Sequence, residues 1–223
     1  MNSEHLSWLS SLPKASATVK IADPLLHDEL VRRSTLLLCG GQLGTLPSQI
    51  YLLHRKAIRG EPESVYKLAG HYQNGNEVQE DLYLAFRLLR YAADQNHEPA
   101  FAELGKCYAY AIGTQRNYEQ AAYCFSKIDY SGDINILSVM GFCYLHGLGV
   151  PKDEHRAYDL WIDAAEHGHP ENIHLCLPAA EAGYARGQYI LGHYYQLGIG
   201  TPPDIHKAIE LFHQAAAQSY GHL

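Results

Sequence analysis

Apolar, small and aromatic positions recur along this chain at a fixed step. Tyr72, Tyr108 and Tyr144 are 36 residues apart, as are Leu68, Leu104 and Met140, and Ala69, Gly105 and Gly141. Leu191, Gly192, Tyr195 and Ala208 continue the series after a step of 51. Within each copy the large residue, its small neighbour and the Tyr fall on one face of a helix. A turn follows, at Asn74-Gly75, Gly147-Leu148-Gly149 and Gly198-Ile199-Gly200. Then comes Asp81, Asn117, Asp153 or Asp204, each able to accept from the free N–H groups of a coming helix. That helix carries Ala85, Ala121, Ala157 or Ala208. A large apolar pair follows: Leu88-Leu89, Cys124-Phe125, Leu160-Trp161 or Leu211-Phe212. The pattern predicts one helical hairpin per copy and an all-α solenoid.

The copies predict an organisation. Residues 63–98, 99–133, 134–169 and 185–220 form four repeats, with a truncated unit at 170–184. There Ala179-Ala180-Glu181-Ala182-Gly183 echoes Ala164-Ala165-Glu166-His167-Gly168, and Pro170 and Pro178 bound the insert. Residues 24–62 form a degenerate hairpin or cap, because Leu52, Leu53 and Gly60 stay in phase with Leu88, Leu89 and Asn96. Residues 1–23 form a short helix around Trp8 followed by a linker.

Composition narrows the function. Of 223 residues 47% are apolar, and 17 Lys+Arg face 24 Asp+Glu for a formal charge of −7, which argues against a nucleic-acid partner. The five Cys (39, 107, 124, 143 and 176) show no CxxC and read as reduced, buried thiols. No apolar run approaches the roughly 20 residues of a membrane span. The N-terminus has no basic residue before its apolar run, so the expected compartment is the cytoplasm.

Candidate chemistry is sparse. The Gly147-Leu148-Gly149 turn invites comparison with a phosphate cradle, but it lacks the Gly-Lys-Ser/Thr ending and the third Gly of a dinucleotide fingerprint. Equivalent turns recur in every copy, which marks them as architecture. Ser64 and Lys67 match Ser-x-x-Lys, yet Ser64 occupies the small inward position shared with Ala100 and Gly187. His167, His169, His174 and Cys176 are metal-ligand types at close spacing. They lack a second cluster spaced like a zinc finger, and a metal-free loop is expected. No cofactor and no catalytic residue is expected.

Residues Met140, Gly141, Tyr144, Gly147, Gly149, Val150, Asp153, Ala157, Trp161, Ala164, Ala165 and Gly168 resemble the Sel-one-like repeat, a relative of the tetratricopeptide repeat. The resemblance covers residues 63–169 and 185–220. It is weakest in the second copy, where Ala111 replaces a turn Gly. It implies a right-handed α/α superhelix with first helices on the concave face. It further implies a non-catalytic role as an adaptor or scaffold for another protein. On that concave face a helical wheel places Glu103, Lys106, Tyr110, Phe142, His146 and His193 outward as partner-binding candidates. Val139 and Ile190, and Lys67, Gly70 and Asn74 of the first copy, fall on the same side. Tyr110 and Phe142 are expected to be exposed aromatic anchors.

The apolar residues Leu211, Phe212 and Ala215 have no polar helix after them, which leaves homodimerisation, a partner at that end or tolerance of an imperfect end open. The alternative function is a dedicated antagonist, such as an immunity protein that neutralises a bacterial toxin.

Overall fold

The structure is a computed structural model that describes residues 23–40, 49–129, 132–166 and 173–220. The expected N-terminal helix around Trp8, together with His167 and His169, lies outside the described residues. Among these residues there are eleven α-helices and no strand: α1 (Pro24–Gly40), α2 (Gln49–Ile58), α3 (Pro62–Asn74), α4 (Leu82–Asp94), α5 (Glu98–Tyr110), α6 (Tyr118–Phe125), α7 (Ile134–His146), α8 (Glu154–Glu166), α9 (Ile173–Glu181), α10 (Ala185–Leu197) and α11 (Ile205–Tyr220). Each packs chiefly on its neighbours in sequence, which makes the fold an all-α solenoid of helical hairpins. The chain divides into two compact units, one ending at His97 and the other beginning at Glu98.

The four repeat hairpins are closed in the same way. The backbone N–H of Asp81, Asn117, Asp153 and Asp204 donates to the carbonyl of Tyr72, Tyr108, Tyr144 and Tyr195, nine residues earlier in each case. The side chains of these four residues then accept from Leu84, Gln120, Arg156 and Lys207 N–H at 2.9 to 3.0 Å, capping α4, α6, α8 and α11. Gly75, Gly147 and Gly198 end the first helices in the left-handed conformation. Glu77 and Ala111 adopt it without being glycine, at φ of 61° and 60°.

In the first unit α1 and α2 precede the first repeat hairpin, α3 and α4. A buried polar chain ties them together. The Tyr72 hydroxyl and His54 Nε2 are 3.0 Å apart, and the Arg33 guanidinium lies 5.0 Å from the Tyr72 ring. Arg33 also reaches Asp81, the cap of α4. His54 is fully buried, and its Nδ1 lies near the Leu30 carbonyl without reaching hydrogen-bond geometry. Burial pushes its pKa down to about 4, with nearby Arg33 and His71 adding to the effect.

The second unit buries Ala122, Phe125, Met140, Trp161 and Ala164 in one cluster, and Ile162, Cys176, Ala179, Leu191 and Tyr194 in the next. Between them lies α9, which packs on both α8 and α10. Pro178 does not bound this insert, as the sequence suggested: it sits inside α9. Buried Leu175, Cys176, Ala179 and Ala180 anchor the helix on both sides, which offsets the one backbone hydrogen bond the proline ring removes.

Candidate protein-interaction surface

The first helices of the second and third repeats, α5 and α7, meet side by side within the second unit. Their inward anchors Leu104 and Met140 are 4% and 2% exposed. On α5, Lys106 Nζ contacts Glu103 Oε1 at 3.2 Å and Asp133 Oδ2 at 3.0 Å. Asp133 also caps α7, accepting from the Asn135 and Ile136 N–H groups. Partial burial works against the Lys106 charge, yet the hydrogen bond it donates to Asp133 and the charge of Glu103 hold its pKa above the ordinary range. Lys106 is therefore a fixed ammonium that ties α5 to the start of α7.

Tyr110 stands beside this cluster, 46% exposed, with Asp133, Lys106 and Tyr118 around its phenol. Burial of the rest of the ring, with Asp133 nearby, raises its pKa, so the hydroxyl remains a donor. A large ring half in water beside a fixed ion pair has the makeup of an interface anchor.

Phe142 differs from its expected exposure. It is half-buried, with its ring 4.9 Å from Tyr118 and 4.4 Å from His146. Tyr118, the first residue of α6, folds over it, while the Arg116 guanidinium lies 6.0 Å from the Tyr118 ring. Phe142 therefore supports the surface from below, and His146 is its exposed member. Val139 and Ile190, also placed outward by the wheel, are buried at 7% and 8%. Val139 and Ile190 belong to α7 and α10, each wedged between its own partner and the preceding element, so their apolar faces are wider than that of a surface helix. The position six after the anchor escapes this: Asn74, Tyr110, His146 and Leu197 are all exposed.

His193 lies apart, on α10. It is half-buried, 4.6 Å from the Tyr189 ring and 5.1 Å from Phe212. Tyr189, 53% exposed, is the aromatic that sequence reasoning passed over. Its signal was present, because it sits four residues before His193 on the same helix face. Tyr118 gives no signal on the wheel of a first helix, because it opens the second helix of its hairpin.

Other polar groups engage locally. The Ser64 hydroxyl donates to Glu61 at 3.0 Å while Lys67 pairs with Glu63 at 2.8 Å, so the Ser-x-x-Lys pair is not brought together. The N–H groups of Gly147 and Leu148 both donate to the Cys143 carbonyl. Cys107, Cys143 and Cys176 are buried free thiols pushed up to about 12, 11 and 11 by burial. Among the described residues no group of three His, Cys, Asp or Glu is placed to hold a metal, and no helix is long and apolar enough to cross a membrane.

Comparison with known proteins agrees with this geometry. The Sel1 repeat matches at residues 62–97, 101–128, 138–169 and 185–220. An uncharacterized protein of Neisseria meningitidis, NMB1327, is 27% identical over 74% of this chain and 32% of its own length. The ERAD-associated E3 ubiquitin-protein ligase component HRD3B of Arabidopsis thaliana is 28% identical over 55% of this chain and 17% of its own. This chain thus spans a third or less of those relatives. A crystal structure of a Sel1 repeat protein from Oxalobacter formigenes is 24% identical over 86% of both chains, with a TM-score of 0.44. Four repeat matches, in phase with four capped hairpins, place this chain in the Sel1 repeat family.

Proposed function

We propose that this chain is a non-catalytic adaptor or scaffold whose protein partner docks on the surface formed by α5 and α7. The reading is supported by the Sel1 repeats themselves, which generally mediate protein–protein interaction. The observation that carries the reading is the position of half-exposed Tyr110 beside the Lys106–Asp133 ion pair. Its anchor ring projects, and its charges are held in place before any partner arrives, which lowers the ordering cost of binding. The buried free thiols support a reducing compartment such as the cytoplasm.

The test is affinity capture from native lysate, with wild type beside a Tyr110→Ala/His146→Ala variant. Phe142 is left intact because its ring supports the fold. One protein recovered by wild type and lost by the variant is the expected result. A toxin among the captured proteins would make the chain an antagonist. Equal recovery by both would remove the α5–α7 surface from consideration.

A further inference from the structure

Beside its contact with α10, one flank of α11 is open among the described residues. Ile209 is 48% exposed, Ala216 is exposed and Phe212 is half-buried. Helix α9 carries the same pattern 36 residues earlier, with Ile173, Cys176, Ala179 and Ala180 where α11 has Ile209, Phe212, Ala215 and Ala216. On α9 the pattern is covered: Cys176, Ala179 and Ala180 are all buried. The cover is α10, which packs on α9. Its Gly187 lies so close that an added Cβ would stand 2.9 Å from the Ala179 Cβ and 3.0 Å from the Ala180 nitrogen. Leu191, four residues later on the same face, joins Cys176, Ala179 and Ala180 in one cluster. Ala122, five residues past the cap of α6 as Ile209 is past that of α11, is also buried, in the cluster α6 shares with α7.

We propose that this flank of α11 docks an amphipathic helix of a partner protein, one that carries Gly or Ala four residues before a Leu. The proposal rests on the reading of the chain as a protein-interaction module. The α9–α10 contact names the occupant, because there the same run of apolar and Ala residues takes up a helix of that kind. The Ala pair admits a close approach only by a small residue, and Ile209 and Phe212 give the Leu an apolar seat. Exposed Tyr189, with its ring 5.7 Å from Phe212, widens that seat. His206, Glu210 and His213 are exposed on the other side and border it as a polar rim. A second copy of the chain fits poorly. The small positions of its own first helices, Ser64, Ala100 and Gly187, are already buried.

The test titrates the full chain, by fluorescence anisotropy, with a labelled peptide of the α10 sequence, residues 184–197. A side-chain bridge between positions 189 and 193, opposite Gly187 and Leu191, holds the peptide helical. Wild type should bind it saturably. Ile209→Glu and Ala216→Glu, at exposed positions and checked for folding by circular dichroism, should each bind at least ~10-fold more weakly. A Gly187→Leu peptide should lose as much, because its side chain would need the space of the Ala pair. Tyr110→Ala should bind the peptide as wild type does, which separates this flank from the α5–α7 surface. No saturable binding, or binding indifferent to Ile209→Glu and to the Gly187→Leu peptide, would overturn the proposal. Sedimentation of the wild type alone addresses the other occupant: a dimer abolished by Ile209→Glu would assign the flank to a second copy and overturn the partner helix.

Discussion

The Trp161 indole occupies the space in which a Cβ on Gly141 would have to sit. The indole N–H donates to the Ser138 carbonyl at 3.0 Å, which fixes the ring over the glycine. The same relation joins Gly105 to Phe125 and Gly192 to Phe212, always 20 residues apart. In the first repeat the two positions hold Ala69 and Leu89, both buried. An aromatic ring on the second helix thus goes with a glycine on the first, and a smaller aliphatic with alanine. Gly141→Ala should destabilise the second unit by about 1–3 kcal/mol, through overpacking of the indole. Adding Trp161→Leu should recover part of that loss, because it recreates the pairing of the first repeat. A chemical-denaturation double-mutant cycle measures the coupling, and strictly additive losses would contradict the account.

Glu77 and Ala111 hold left-handed backbone where the other repeats use glycine. The conformation costs a residue with a Cβ about 1 kcal/mol or more relative to Gly. Glu77→Gly and Ala111→Gly should therefore each raise stability by up to about 1 kcal/mol, despite the greater freedom glycine gives the unfolded chain. The reverse change at Gly149 should be costly, because its Cβ would lie 2.8 Å from the Glu119 Cα. Thermal unfolding of the three variants separates these signs.

His54 makes the first unit sensitive to acid. Its folded pKa is about 4 against an ordinary 6.5, so the unfolded chain takes up the proton first. Its contribution is fully present above pH 6.5 and is lost as pH falls toward 4. A shift of this size corresponds to about 3 kcal/mol across that window. His54→Gln keeps a donor for the Tyr72 hydroxyl and should flatten the dependence. Amide hydrogen exchange in α2 and α3, followed from pH 7 to 4.5, reads it, and parallel curves for both proteins would rule out His54 as the source.

Much of this fold was legible in the residues. The 36-residue step, the Tyr, the cap acid or amide and the small–large alternation are all local constraints that each hairpin must satisfy again. The candidate surface was less legible, because a wheel treats a helix as if it had one buried side. Val139 and Ile190 are buried because a neighbouring element covers a second side, and no single-helix periodicity reports that neighbour. Phe142 followed the same logic: the residue that covers it, Tyr118, belongs to a different helix. Pro178 read as a boundary because proline usually ends a helix, whereas packing on both flanks carries α9 through it.

The cap at Asp204 offers a further check on the last hairpin. Its side chain accepts from the Lys207 N–H at 3.0 Å. Asp204→Ala should cost about 0.5–2 kcal/mol, and Asp204→Asn much less, because the amide oxygen keeps the bond. Equal losses in the two variants, measured by denaturant titration, would mean that charge rather than capping matters there.

The most direct test of the α5–α7 surface is photo-crosslinking in the native host. A photoreactive amino acid replaces Tyr110 in one strain and Tyr123, an exposed tyrosine on α6, in another. Position 110 should yield one discrete protein adduct and position 123 none. No adduct at 110, or the same adduct at both positions, would contradict the assignment of this surface to a protein partner.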